Sequence, residues 1–238
     1  MSQTNPKSLS AGPLSLLKIA ARGLKSLLRS QPTSPASGAM MTIKADVISP
    51  DTLRDQRIPR GQVETHRWPV LHAGSTPEVD IATWDLRFFG LVKSPVTLTW
   101  DQFQSLPKST VLADMHCVTR WSKLNNNWEG VLVRDVMKLV EVDPSARFVV
   151  AHAEHGFTTN LPLDDFLGDD CLFAWSHDGE PLDPDHGWPL RLVIPRLYAW
   201  KSAKWLRGVE FLATDEPGFW EQNGYHNHGD PWKEQRFW

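Results

Sequence analysis

Between residues 14 and 29 the apolar positions Leu14, Leu17, Ala21, Leu24 and Leu28 recur at helical spacing, with Lys18, Arg22, Lys25 and Arg29 on the other flank. That pattern predicts a short basic amphipathic helix. Gln31-Pro-Thr-Ser-Pro-Ala-Ser-Gly38 follows and reads as a breaker-rich linker. From about residue 50 the pattern becomes mixed. Residues 81–90 alternate and are β-rich, predicting a strand ended by Gly90, and 96–99 predict a second. Thr99 is placed to cap a short helix reaching Leu106, before Pro107. Apolar stretches at 110–113, 148–151, 157–161, 171–175, 190–194 and 205–212 predict further strands, with turns at His155-Gly156 and His177-Asp-Gly179. Apolar residues at 132, 133, 136, 139 and 140 predict a helix over 131–142, and 163–167 a shorter one. Strands outnumber helices and do not alternate strictly with them, so the expected class is α+β with mixed sheets and peripheral short helices. The expected organisation is an extension over 1–45 and a single domain over 46–238.

Charge sharpens that division. Residues 1–45 hold six basic residues and no acid, leaving 19 basic and 28 acidic residues in the rest of the chain. The acidic body argues against nucleic acid as a partner. The extension reads as a solvated or partner-docking tail, a peripheral membrane helix through 14–29, or a transit peptide. No apolar run approaches the roughly 20 residues of a membrane span. No secretory or twin-arginine signal is evident, which favours the cytoplasm. Twelve tryptophans stand against two tyrosines, and indole suits cores and pocket walls.

The two cysteines, Cys117 and Cys171, are too few for a disulfide scaffold. Cys171, in an apolar run, reads as a packing residue. Cys117 follows a strand at the mouth of a loop, between His116 and Arg120, whose charges would favour a thiolate. Such a thiolate suits either a nucleophile or a soft-metal ligand. Zinc is poorly supported, since no second cysteine lies nearby. His226, His228 and Asp230 read as a turn packed over the domain in preference to a metal cluster.

Asp114-Met-His-Cys-Val-Thr-Arg-Trp-Ser122 with Trp128-Glu-Gly130 resembles the signature of the sulfite-oxidase family of molybdopterin enzymes, in particular its small single-domain bacterial and archaeal members. Trp68-Pro-Val-Leu-His72, Phe89-Gly-Leu-Val92, Gly156-Phe-Thr-Thr-Asn-Leu161, Gly187-Trp-Pro-Leu-Arg-Leu-Val-Ile-Pro195 and Tyr225-His-Asn-His-Gly-Asp-Pro-Trp-Lys233 extend the resemblance over about residues 55–238. It implies a sulfite-oxidase-type fold and a molybdopterin cofactor, in its mononucleotide form in preference to a dinucleotide. Cys117 matches the cysteine that binds molybdenum.

His186 and Arg191 match a cofactor-contacting pair with a five-residue offset. Lys201-Ser-Ala-Lys204 matches the phosphate-side segment, with Ser202, Ala203 and Lys204 the implied contacts. Leu71 and His72 match a pterin contact from the N-terminal side, and His152 or Ala153 another. Arg120 departs from the family pattern; an arginine three residues after the metal ligand suits pairing with an anionic substrate.

The implied activity is oxygen-atom transfer to or from a small substrate: sulfite, an S- or N-oxide, or a similar oxoanion. No C-x-x-C-H haem signature exists, so a separate electron donor or acceptor protein is expected. About 25 residues follow the last strand, too few for the family's dimerisation domain, so a monomer is expected. Two other classes compete: a cofactor-binding carrier without turnover, and a metal-free hydrolase using Cys117 with a histidine.

Overall fold

The computed structural model describes residues 45–238; the helix expected at 14–29 and the linker at 31–38 lie outside the described residues. Two mixed sheets form the frame. The larger has seven strands. Its spine runs β1 (Val47–Ile48), β5 (Ser109–His116), β6 (Trp121–Leu132), β9 (Leu172–His177) and β10 (Glu180–Pro181). β2 (Val63–Glu64) pairs with β6 in parallel, and β11 (Arg191–Val193) pairs antiparallel with β9. The smaller sheet has the order β4 (Val96–Thr99), β3 (Asp85–Gly90), β12 (Leu206–Leu212), β7 (Phe148–Ala153), β8 (Thr158–Pro162). Only its β3–β12 pair is parallel. Short helices α1 (Trp100–Gln104), α2 (Val133–Val136), α3 (Leu163–Phe166) and α4 (Phe219–Gln222) sit at strand ends.

Local chemistry explains these boundaries. Thr99 caps α1 with a reciprocal box: its hydroxyl accepts from the Gln102 amide, and the Gln102 side chain accepts from the Thr99 amide. The helix expected over 131–142 is largely replaced. β6 continues to Leu132, α2 makes one turn, and a 3₁₀ turn covers Met137–Leu139. The apolar spacing there served two structures in succession: Val131 and Leu132 alternate across a sheet, while Val133 and Val136 share one helical face, and all four are buried.

The centre of the larger sheet is covered on both faces, as continuous apolar runs such as 190–194 require. Val131, Phe173 and Leu192 face one core with Trp84, Phe88, Phe103 and Phe211. Leu132, Leu172 and Val193 face a second core with Cys117, Trp121, Trp128, Tyr198, Trp200 and Tyr225. The second core carries the candidate chemistry.

Candidate active site

Cys117 stands in the turn between β5 and β6. Its amide donates to the Trp121 carbonyl at 2.8 Å, and its carbonyl accepts from the Arg120 amide at 2.9 Å and from the Gln62 side chain at 3.0 Å. Arg120 takes a positive φ of 76° to close this turn. The turn is anchored from below by Asp114, whose buried carboxylate is gripped by both ends of the Arg57 fork and accepts the Asn125 amide.

Cys117 is 7% exposed, and its thiol takes a hydrogen bond from Thr119 at 3.1 Å. Burial pushes the Cys117 thiol up, against smaller lowering effects of Thr119, Arg236 and Lys204. This corrects the expectation that His116 supports a thiolate. His116 is fully buried, held against the Ser122 hydroxyl at 2.8 Å, and burial pushes its imidazole down to about 4, so it is neutral near pH 7. The bare protein therefore keeps the thiol protonated. A bound metal ion would deprotonate it directly.

A cationic wall lies close by. Arg191 opens β11, is 2% exposed, and donates to the carbonyls of His186 at 3.0 Å and Ser202 at 3.1 Å. Its guanidinium lies 5.4 Å from the Trp68 ring and 5.3 Å from that of Trp128, and its Nε has no hydrogen-bond partner. Burial pushes it down to about 9. Lys204 donates to the Asp185 carbonyl at 2.6 Å, and burial, with the neighbouring Arg191, pushes its amine down to about 7. Both cations thus bond to carbonyls and not to carboxylates, a costly arrangement for adjacent charges unless an anion completes it.

The loop between them is held tightly. Gly187 has φ 111°, and a Cβ there would stand 3.1 Å from Lys204 and 3.2 Å from Arg191, so only glycine lets the two segments close. His186 stacks on Trp68 at 3.8 Å and lies between the Asp183 carboxylate and the Trp68 carbonyl; burial lowers its pKa. His72 meets Trp205 edge-on at 5.1 Å, and burial with Lys204 lowers it too. Leu71 packs against the same core as Cys117, and so do Trp68, Trp121, Trp128 and Trp188.

The structure therefore brings Cys117, Leu71, His72, His186, Arg191 and Lys204 to one side of the larger sheet. Other expected residues have different duties. The Ser202 hydroxyl accepts from the Ile194 amide at 3.0 Å and its carbonyl fixes Arg191, so it positions a cation. Ala203 is buried and pairs through its carbonyl with Leu192. His152 lies on β7 in the smaller sheet, with its ring nitrogen 2.9 Å from Glu210 and its ring against Phe89. Lys201 is fully buried and spent on Asn160, Asn227 and Glu221. His228 lies between Asp165 and Gln235, and His226 accepts from the amides of His228 and Gly229, which makes that segment a packed turn.

Sequence reasoning passed over Tyr198 and Arg236, and met Tyr225 only as part of a motif. Both tyrosines of the chain belong to the core that holds Cys117. Arg236 donates to the carbonyl of Val118 at 2.9 Å, next to the thiol. The rarity of tyrosine was the one available signal.

This donor set, a buried thiol facing cations that lack carboxylate partners between aromatic walls, fits an anionic, sulfur-bearing cofactor. Among the described residues no group of three or more His, Cys, Asp or Glu side chains forms a metal site by itself. No helix among them is long and apolar enough to cross a membrane.

Comparison with known proteins agrees with that chemistry. The oxidoreductase molybdopterin-binding domain matches residues 73–220. The oxidoreductase YuiH of Bacillus subtilis (strain 168) is 50% identical over 182 residues, covering 76% of this chain and 92% of that protein. A sulfite oxidase of Arabidopsis thaliana is 28% identical over 188 residues, covering 64% of this chain and 48% of its own length. In fold, the chain resembles the sulfane dehydrogenase SoxCD from Paracoccus pantotrophus, with a TM-score of 0.57 at 19% identity over 81% of this chain and 52% of that one. It thus spans nearly all of YuiH but about half of the other two. With residues 73–220 inside the family's domain and half of the aligned positions shared with YuiH, the chain belongs to the molybdopterin-binding oxidoreductase family.

Proposed function

We propose that this protein transfers an oxygen atom to or from a small substrate such as sulfite, an S-oxide or an N-oxide, with Cys117 as the protein's ligand to molybdenum. The observation that carries this reading is the juxtaposition of a buried thiol with a buried cation, Arg191, and a partly buried one, Lys204, whose hydrogen bonds go only to carbonyls. The cofactor, when bound, supplies the oxygen-transfer and two-electron chemistry. The chain supplies the rest. Arg191 and Lys204 would hold the phosphate of the mononucleotide form. The Trp68–His186 stack and His72 would border the pterin, and the Cys117 turn would orient the thiolate. Arg120, closing that turn, would draw in an anionic substrate.

Oxidation of sulfite in this scheme takes an oxygen that derives from water, releases two protons, and sends two electrons to a separate carrier protein. Peripheral membrane contact through residues 14–29 belongs to the same proposal; liposome co-sedimentation with and without residues 1–38 tests it, and equal binding refutes it.

The central test is elemental. Protein from a host that makes the cofactor should carry stoichiometric molybdenum, and Cys117→Ser should lose turnover together with the wild-type molybdenum(V) paramagnetic signal. Absence of the metal, or full turnover by the molybdenum-loaded serine variant, overturns the reading.

A further inference from the structure

Two histidines of the C-terminal segment are held in opposite protonation states by their hydrogen bonds. Nδ1 of His226 accepts from the amides of His228 at 3.0 Å and Gly229 at 3.2 Å, so it carries no proton and the ring is neutral. His228 faces acceptors on both sides. Its Nε2 lies 2.7 Å from the Asp165 carboxylate on α3, and its Nδ1 lies 3.1 Å from Oε1 of Gln235. The Asp230 amide donates to that same Gln235 atom at 3.0 Å, which identifies it as the oxygen. An acceptor on each ring nitrogen calls for an N–H on each, and only the imidazolium has two.

The surroundings agree. His228 lines an open pocket of about 310 Å³ with Asp51, Asp165, Asp170, Asp230, Arg54 and Arg196, so solvent reaches it among four carboxylates and two guanidinium groups. Asp51 pairs with Arg54 at 2.6 Å, Arg196 stands 3.6 Å from the other oxygen of Asp165 and 3.7 Å from Asp170, and Asp230 stands 3.4 Å from Lys233. The Asp165 contact holds the imidazole above its ordinary pKa, against burial. Burial raises the Asp165 carboxyl, but His228 and Arg196 more than offset it and leave it lowered. The same segment closes over the second core: the Gly229 carbonyl accepts from the Tyr198 amide, the Asn227 carbonyl from Lys201, and Arg236 donates to the Val118 carbonyl next to Cys117. We propose that His228 is a protonation-dependent latch, which as the imidazolium ties the C-terminal segment to α3 and on losing a proton loosens the segment that borders the Cys117 turn.

The direction with pH follows. An unfolded histidine titrates near 6.5. With the folded value above it, the latch contributes fully below about pH 6.5 and is lost as pH rises through the folded value. The deprotonated ring keeps one N–H and turns a lone pair toward an acceptor, so one of its two bonds breaks. The measurements use the full-length protein as purified and do not depend on the identity of the metal. In proton NMR the Cε1–H resonance of His228 should titrate above the ordinary histidine value, and that of His226 below it. Asp165→Asn should bring the His228 midpoint down. His228→Gln keeps a donor without the charge; it should melt below the wild type at about pH 6, and the gap should close toward about pH 9. Amide exchange over residues 226–236, corrected for its intrinsic rate, should lose protection with rising pH in the wild type and show no such step in His228→Gln.

A His228 midpoint at or below the ordinary value overturns the inference, as does a melting gap of equal size at both ends of the range. Protection over 226–236 that ignores pH in the wild type makes the ion pair a static contact and overturns it too. The wild-type titration and exchange need no variant once the ring is assigned through the backbone, so a substitution that fails to fold leaves the test intact.

Discussion

Lys204 and Arg191 face each other across a loop that only Gly187 lets close, and their pairing has a measurable consequence in the cofactor-free protein. The Lys204 amine is pushed down to about 7 by burial, by Arg191, and against the opposing pull of Asp185 and Cys117; His72 and His186 are its other titratable neighbours. An unfolded lysine titrates near 10.4. Between about pH 7 and 10 the unfolded chain therefore binds the extra proton, and stability rises with pH over that window. Urea midpoints of cofactor-free protein should climb from pH 7 to 10 relative to those of Lys204→Met. Parallel curves would show that the amine is not depressed. Phosphate binding should follow the opposite course, being tighter below pH 7 where the amine is charged. Resemblance at the level of motif was enough to single out Lys204. The state of its proton was not legible, because it depends on burial and on a residue thirteen positions away.

The element that organises the centre is the β5–β6 hairpin, and it was only half legible. Thr110–Ala113 reads as a strand because it is apolar, and Asp114-Met-His-Cys117 is visible as a motif. β6 is not, since Ser122-Lys-Leu-Asn-Asn-Asn127 shows no sustained alternation; it becomes a strand by pairing with β5 over most of its length and with β9 from Trp128 onward. Asp114 is the pin of this hairpin. Its carboxylate lies at an irregularity between Ala113 and Met115 and holds Arg57 and the Asn125 amide, with Asn125 at a φ of 56°.

Asp114→Asn leaves the Arg57 guanidinium, partly exposed, without its counter-charge. The expected loss is about 2–3 kcal/mol, below the usual cost of breaking a fully buried pair because Arg57 reaches solvent. Denaturant titration measures it. Because the same carboxylate sets the turn that carries Cys117, molybdenum content should fall with stability. A variant with native stability and full metal would show that the hairpin holds without its pin. Gly61→Ala acts from the opposite side: its φ of 71° and the crowding by Arg120 and Glu234 predict a loss of about 1 kcal/mol in the same denaturant titration.

At the scale of the whole molecule, distant segments are closed over the second core by one buried charge. Lys201 donates to the Asn160 carbonyl and side chain on β8 and to the Asn227 carbonyl in the C-terminal segment, and pairs at 2.6 Å with Glu221 of α4. Glu221 also accepts from Trp200 and Thr159, and its other oxygen has no partner. Neither residue invited this reading from the sequence. Lys201 sits in a motif that resembles a phosphate contact, three positions before Lys204, and the two lysines are divided by the 3₁₀ turn Ala199–Lys201, which buries the first. Removing Lys201 alone as Lys201→Met strands the Glu221 carboxylate in a dry interior, at a cost of about 3–5 kcal/mol. Lys201→Met with Glu221→Gln removes both charges and should recover a large part of that loss, because the amide can still accept from Trp200. A double-mutant cycle by urea unfolding decides the matter. Strict additivity would mean that the two charges are independently solvated and that the C-terminal segment, which brings Arg236 to the thiol, is held by packing alone.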